Sequence, residues 1–102
     1  MKESDIQLEA KKVLLDQGYV YWFPPKIRFY QRDIFGIFDF VAARKEEILF
    51  VQLTTVQHIS DRRRKITAFM ADHYCSFANA WIWAWNKEKG SFKVVKTYEE
   101  FI

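Results

Sequence analysis

Asp39 and Gln52 are the two polar residues whose types and spacing most clearly suggest chemistry. They lie on two apolar runs, 34–43 and 48–54, that are typical of adjacent strands in one hairpin. If that hairpin turns directly after Lys45, Asp39 lies opposite Gln52, with the side chains about 5 Å apart on one face. Both faces of the hairpin are otherwise apolar, so the sheet is expected to be covered on both sides. A carboxylate placed there costs free energy unless it is hydrogen-bonded or binds a cation, which suggests a site.

The composition fits one domain with local clusters of positive charge. Half of the 102 residues are hydrophobic and 19% are aromatic, which suffices for a single core. The net charge is only +3, so the distribution of charge is more informative than its sum. Cations lie on both sides of the predicted hairpin: Lys26, Arg28 and Arg32 before it, and Arg62, Arg63, Arg64 and Lys65 after it.

Cysteine content and hydropathy indicate the compartment. The single Cys75 excludes an internal disulfide, and one cysteine with two histidines cannot build a metal-thiolate site. Residues 1–12 lack the pattern of a signal segment, and no apolar run is long enough to span a bilayer. The sequence therefore predicts a cytoplasmic protein in a reducing compartment, without a membrane partner.

Two helices are expected to flank the hairpin. Ser4 is a candidate N-cap for a helix over 5–17 that ends at Gly18, and Ser60 for a second helix over 61–77. β-forming residues and turn signals predict the remaining extended segments, which are 19–23, 26–30, 81–85 and 92–96. The predicted fold class is α/β, with a mixed sheet of about five strands flanked by helices in the order α-β-β-β-α-β-β.

The first turn of the second helix carries four consecutive cations, 62–65. A helix N-terminus has partial positive charge and ordinarily favours acidic residues, so these cations work against local stability. A bound anion would offset that effect. The alternative is a solvated helix face.

The arrangement around Asp39 resembles the PD-(D/E)xK nucleases. Asp39 is followed by a strand that ends in Phe50-Val51-Gln52-Leu53-Thr54, after a helix that carries Glu9 and a first strand that contains arginine. Within that superfamily the chain is most similar to archaeal Holliday-junction resolvases and their small phage-type relatives. The resemblance extends over nearly the whole chain in element order, and the motif itself is only a few residues. It implies a restriction-endonuclease-like core, Mg²⁺ or Mn²⁺ as cofactor, branched DNA as substrate and a homodimer.

The resemblance also implies roles for individual residues. The metal-binding aspartate corresponds to Asp39, the helix-one glutamate to Glu9, the carboxylate of the ExK segment to Gln52, and its lysine to Thr54. The last two depart from the family pattern. A glutamine carbonyl can still ligate Mg²⁺, although less strongly than a carboxylate. Thr54 cannot supply the positive charge that stabilises a reacting phosphate, so Lys65 is expected to replace the lysine.

Arginines are expected to contact the DNA backbone. If Lys65 does not reach the site, Arg62 is the next candidate for the missing cation. The residues assigned to phosphate contacts, which position DNA without reading its sequence, are Arg28, Arg32, Arg62, Arg63 and Arg64. Leu8, Leu15 or the strand that carries Trp81, Trp83 and Trp85 are candidates for the dimer interface.

Each assignment has a structural alternative. Asp39 could be a buried aspartate satisfied by backbone amides or by Arg28, and Gln52 with Thr54 a polar cluster at one end of the sheet. Glu9 and Lys65 could be ordinary solvated side chains. For the protein as a whole, the alternatives are a DNA-binding protein on a catalytically degenerate nuclease fold, or an interaction module that binds no nucleic acid.

Overall fold

The computed structural model describes residues 2–27, 30, 31, 33–73 and 78–97. Two α-helices, one short 3-10 helix and seven strands form within these ranges. Their bounds are α1 Glu3–Asp16, β1 Val20–Trp22, β2 Lys26–Ile27, β3 Tyr30–Gln31, β4 Phe40–Arg44, β5 Glu47–Thr55, the 3-10 helix Val56–His58, α2 Ile59–His73, β6 Asn79–Asn86 and β7 Ser91–Lys96.

Five of the strands form one mixed sheet in the order β1-β4-β5-β6-β7. Neighbours in the sheet are antiparallel except for β5 and β6, which are parallel and joined by the crossover through α2. The prediction of an α/β fold with a mixed five-stranded sheet and flanking helices is confirmed. The predicted strand over 26–30 is instead split, because Lys26 and Ile27 pair back on Gln31 and Tyr30 as a separate two-stranded ribbon.

The hairpin of β4 and β5 has the predicted register. Phe40 pairs with Val51 and Arg44 with Glu47, which is the pairing that a turn directly after Lys45 requires. Lys45 itself adopts a left-handed backbone conformation, with φ of +54°.

The first half of the predicted strand over 34–43 is a tight turn instead. Ile34 N–H donates to Phe38 O at 2.7 Å, and Phe38 N–H returns a bond to Ile34 O at 3.0 Å. Phe35 and Gly36 lie between them with φ of +56° and +71°, values incompatible with a strand. As a consequence Phe38 packs on the α2 side of the sheet, whereas the predicted continuous strand over 34–43 would place it on the same face as Phe40. That prediction was wrong because the chain bends at Asp39.

Each helix covers one face of the sheet, as expected for a hairpin that is apolar on both faces. On one side the buried residues of α1, which are Ile6, Ala10 and Leu14, pack on Phe40, Ala42, Leu49, Val51, Leu53, Trp81 and Trp83. On the other side Ile66 and Met70 of α2 pack with Phe38, Ala80, Ile82 and Ala84. The site residues therefore lie between two hydrophobic layers.

Both helices begin two residues before their predicted starts. In the first turn of α1, Lys2 N–H donates to a carboxylate oxygen of Asp5 at 3.0 Å, which places the cap before Ser4. Gly18, with φ of +76°, follows the end of α1 as predicted, and Tyr19 N–H donates to Leu14 O at 2.9 Å. The predicted end of α2, 74–77, lies outside the described residues. Neither described helix has the length and apolar character needed to span a membrane.

Candidate functional site

Asp39 lies at the bend before β4, where β5 continues past its neighbour. Because β4 begins at Phe40, the residues of β5 beyond Val51 have no strand partner on that side within the described part of the chain. The Asp39 carboxylate occupies this gap: its Oδ2 accepts the Leu53 N–H at 2.7 Å, and the Asp39 N–H donates to Val51 O at 2.8 Å. Only 4% of Asp39 is exposed. The local backbone therefore holds a buried carboxyl group at the end of a strand.

Burial raises the pKa of the Asp39 carboxyl to about 7. The Leu53 N–H opposes this shift, since a hydrogen bond to the charged form favours it. The charges of Asp33 and Glu3 raise the pKa further, and the Arg62 guanidinium lowers it. Among the described residues, Asp33, Glu3 and Arg62 therefore act electrostatically on this carboxyl.

Gln52 faces Asp39, as the hairpin register predicts. Its Nε2 lies 3.5 Å from Asp39 Oδ2, which is a long contact for a hydrogen bond. Gln52 is 6% exposed, and its buried Oε1 has no hydrogen-bond partner among the described residues. A buried carbonyl oxygen without a donor is unusual in a folded protein and indicates that something else satisfies it. The carbonyl is therefore an available oxygen ligand beside a carboxyl group.

Among the described cations, Arg62 is the one whose charge acts on Asp39. Arg62 lies one turn before the buried Ile66 of α2 and is half-buried, and its Nε–H is buried without an acceptor in the part of the chain that the structure describes. Lys65, the first choice from sequence, is exposed. Arg62, the second candidate from sequence, thus interacts electrostatically with Asp39.

Glu3, rather than Glu9, is the acidic residue of α1 whose charge reaches Asp39. Glu9 instead forms an ion pair with Lys12 at 3.1 Å and lines a groove of 330 Å³ together with Trp81 and other residues. The two glutamates are six residues apart, or about 9 Å along a helix. One signal in the sequence points to Glu3: although it is exposed, it lies three residues before Ile6, in line with the buried stripe of α1.

The remaining predicted site residues fall into three groups. Thr54 is buried on the same side of β5 as Gln52 and pairs with Ala84 of β6. Arg63 and Arg64 are exposed on α2, and Arg64 forms an ion pair with Asp61. Arg28 and Arg32 lie outside the described residues.

The tryptophan strand belongs mainly to the core. Trp81 and Trp83 are buried, and the Trp83 ring lies 5.4 Å from that of Phe40 in a T-shaped arrangement. Trp85 packs on Phe92 at 5.0 Å. Trp81 and Trp83 are therefore not available to stack on bases.

The chemistry of the site is that of oxygen donors. Asp39 and Gln52 meet directly, and Glu3 contributes negative charge. Within the described residues, no three His, Cys, Asp or Glu side chains cluster as a metal site. An ion here would therefore depend on the Gln52 carbonyl in addition to carboxylates. Hard cations such as Mg²⁺ and Mn²⁺ prefer such oxygen ligands.

Comparison with models of known protein families gives no match, and neither does comparison with curated protein sequences. The site geometry and the topology of the sheet are thus the observations from which a function is inferred.

Proposed function

We propose that the protein is a divalent-metal-dependent DNA endonuclease that acts on branched or otherwise structured DNA. The observation that carries this proposal is the buried Asp39 carboxyl beside the Gln52 carbonyl oxygen, which lacks a donor among the described residues. A purely structural aspartate is satisfied by its own hydrogen bonds and leaves no free acceptor next to it.

The arrangement of elements supports a restriction-endonuclease-like core. An antiparallel set of β1, β4 and β5 is followed by a crossover helix and a strand parallel to β5, with α1 on the opposite face. The resemblance noted in the sequence calls for this order. It also calls for the acidic residue of the second core strand and the polar residue of the third to meet, as Asp39 and Gln52 do.

Asp39 and the Gln52 carbonyl would hold the metal ion, and the negative charge of Glu3 would add to the electrostatic attraction. Mg²⁺ or Mn²⁺ bound there would polarise the scissile phosphate and lower the pKa of a water molecule. Gln52 Oε1 fits such an ion, because it presents a lone pair that no described donor occupies. The buried position of Asp39 excludes competing water and strengthens its electrostatic interactions.

Arg62 would supply the positive charge that Thr54 cannot. A guanidinium stays charged at every accessible pH and can stabilise charge on a phosphate without transferring a proton. The Arg62 Nε–H, which has no acceptor among the described residues, is a donor of the right kind for a phosphate oxygen. Arg63, Arg64 and Lys65, exposed on the first turns of α2, would contact neighbouring phosphates and position the DNA.

A homodimer follows from the resemblance, since resolvases of this kind cut two strands with two sites. A twofold assembly presents the same surface twice, which suits a substrate with two related strands.

A second candidate is a DNA-binding protein on a degenerate nuclease fold. The neutral Gln52 and Thr54 favour it, because both replace charged residues of the family pattern. This candidate predicts binding to DNA that weakens steeply with salt and no cleavage in any metal.

Cleavage of a labelled four-way junction and a matched linear duplex tests the proposal. The wild-type chain is compared with Asp39→Asn in Mg²⁺, in Mn²⁺ and in EDTA. Glu9→Gln is the matched control, because it removes a carboxylate of α1 that pairs with Lys12. The proposal expects metal-dependent cuts near the branch that disappear in Asp39→Asn and persist in Glu9→Gln.

Two other results would redirect the proposal. Junction binding without cuts in either metal assigns the protein to the degenerate class. The absence of both binding and cutting removes nucleic acid as the ligand. Metal binding is measured separately from activity as the rise in thermal midpoint with Mg²⁺, which Asp39→Asn is expected to abolish.

Substitution of Arg62 tests the source of the cation. Arg62→Met is expected to lower cleavage at least about tenfold, whereas Lys65→Met, the matched change one turn along, is expected to act only through salt-sensitive binding. Equal losses in the two variants would contradict the role given to Arg62.

A further inference from the structure

Within the described residues, helix α2 covers only part of its side of the sheet. Its main contacts are with β5 and β6, so the β1 and β4 strands lie beyond it. The register identifies which side chains face that way: Val20 pairs with Ala43 and Ala43 with Ile48, while Trp22 pairs with Val41 and Val41 with Phe50. Phe50 packs on the α2 side of the sheet, so Trp22 and Val41, which lie in the same cross-strand row, point to that side as well. The neighbouring row, two residues along each strand, also points there; it consists of Val20, Ala43 and Ile48. Five of these residues form what we term the open face: Val20, Trp22, Val41, Ala43 and Ile48.

The open face is apolar and exposed to an unusual degree. Val20 is 72% exposed, Trp22 54% and Ile48 39%. None of its five residues is charged or carries a hydroxyl, carboxyl or amide group in its side chain. Single exposed apolar residues need no explanation, whereas a contiguous apolar surface marks an interaction site.

An apolar groove continues the open face towards α2. It has a volume of about 580 Å³, and its walls include Phe35, Ile48, Phe50 and Phe69. Phe35 stands at its rim, 65% exposed, with its ring 5.9 Å from that of Phe50 and 5.6 Å from that of Phe69. Its positive φ of +56° is uncommon for a bulky residue and holds the ring in this position. Ile48 belongs to both surfaces and joins them.

The exposed area approaches what a stable dimer needs. An aromatic side chain can bury about 150–250 Å², so Trp22 and Phe35 together leave roughly 250 Å² in water. Val20 and Ile48 add roughly 100 Å². A standard interface buries about 800 Å² on each partner, of which about 65% is apolar in homodimers. Most of that apolar area is present in four side chains, and half-buried neighbours such as Val41 and Phe50 extend it.

We propose that the open face and the adjoining groove form the interface with a second copy of this chain. In a twofold arrangement each surface meets itself, so a charged patch would repel its own copy, whereas this uncharged one does not. Trp22 lies two strands from Phe50 in the sheet and projects from the open face beside the groove. The twofold rotation that relates the two copies therefore places Trp22 of each copy against the groove of the other.

The interface borders the candidate site without using its residues. Asp39 precedes β4 by one residue, and Val41 of the open face is the second residue of that strand. The surface differs from those expected from sequence, because Leu8 and Leu15 lie on α1 and Trp81 and Trp83 are buried. The proposal rests on exposure and register alone and is independent of the proposed nuclease activity.

Sedimentation of the purified chain, without DNA or metal, tests this assembly. The wild-type protein is expected to sediment at twice its chain mass of 12.3 kDa in a concentration-dependent manner. Trp22→Asp is expected to weaken association at least about a hundredfold and to sediment at the mass of one chain. Leu15→Asp is the matched control, because Leu15 is 67% exposed on α1, and it is expected to remain dimeric.

The stability of the separated chains makes the test conclusive. Trp22 is already more than half exposed, so Trp22→Asp is expected to retain the wild-type circular dichroism spectrum at low concentration. If Trp22→Asp fails to fold, Val20→Asn, at a still more exposed position, is measured in its place. A wild-type chain that stays monomeric at about 100 µM overturns the proposal, as does dissociation by Leu15→Asp alone. Protection of Trp22 from acrylamide quenching only when DNA is added would assign the open face to nucleic acid and overturn it as well.

Discussion

Replacing Asp39 with asparagine is expected to stabilise the protein at neutral pH. The side-chain carbonyl of the asparagine can still accept the Leu53 N–H that Asp39 accepts at 2.7 Å. The substitution therefore keeps the local geometry and removes one buried negative charge, whose desolvation is the main cause of the raised pKa.

The magnitude follows from the pKa of Asp39. The folded protein holds this proton up to about pH 7, whereas an ordinary aspartate releases it near pH 3.8. Between these values the folded state binds more protons than the unfolded state, so its stability falls as pH rises. At about 1.4 kcal/mol per pKa unit, the loss is complete above pH 7 and amounts to about 4 kcal/mol. The asparagine side chain does not titrate, so the Asp39→Asn protein escapes this loss.

Chemical denaturation in EDTA from pH 4 to pH 8 measures the effect. The free energy of unfolding of Asp39→Asn minus that of wild type is expected to grow by about 4 kcal/mol across this range. Asp72→Asn is the control, because Asp72 is exposed on α2 and is not among the described charges that act on the Asp39 carboxyl, so its difference from wild type is expected to stay small. Parallel curves for wild type and Asp39→Asn would refute the reasoning and place Asp39 among ordinary solvated carboxylates.

Three further predictions concern the site and the core. Gln52→Glu is expected to tighten Mg²⁺ binding at least about tenfold, because a carboxylate holds a hard cation better than a carbonyl; titration of the thermal midpoint with Mg²⁺ measures it. Tyr19→Phe is expected to cost about 1 kcal/mol, since it removes the 2.9 Å hydrogen bond to Glu47; urea denaturation checks this value. Leu14→Ala is expected to cost about 2–5 kcal/mol in the same measurement, because Leu14 is fully buried.

The hairpin register could be predicted from sequence, and the turn before it could not. Alternating apolar residues and the position of Lys45 set the pairing of Phe40 with Val51, which the structure confirms. The same alternation continued back to Ile34 and suggested a longer strand. Gly36, a residue type that often marks a bulge within a strand, was the local signal, but it did not predict the bend at Asp39, which depends on the tertiary hydrogen bond between the Asp39 carboxylate and Leu53 N–H.

Helix phase limited the prediction of the site in a similar way. Arg62 and Lys65 lie close together in sequence, and only the packing of Ile66 against the sheet decides which of them turns inwards. Glu3 and Glu9 posed a different choice on α1: they lie about 9 Å apart along the helix axis and about 120° apart around it, and the sequence did not show which end of α1 lies near Asp39. Cross-strand pairing determines which residues of a hairpin face each other. The meeting of Asp39 and Gln52 was therefore easier to predict than the position of a helical residue such as Arg62 or Glu3.

The polar groups around Asp39 that lack a partner among the described residues support the proposal of a ligand at this site. The folded protein would be more stable with an asparagine in place of Asp39, an apolar residue in place of Gln52 and an exposed Arg62. The structure instead retains a carboxyl group whose pKa is about 7, a carbonyl oxygen without a described donor and a guanidinium Nε–H without a described acceptor. A divalent cation bonded to the two oxygens and a phosphate bonded to Arg62 would satisfy all three at once. If the site were purely structural, Asp39→Asn would stabilise the protein without the loss of any binding function. If the site binds a metal ion, the same substitution also removes the rise in thermal midpoint with Mg²⁺.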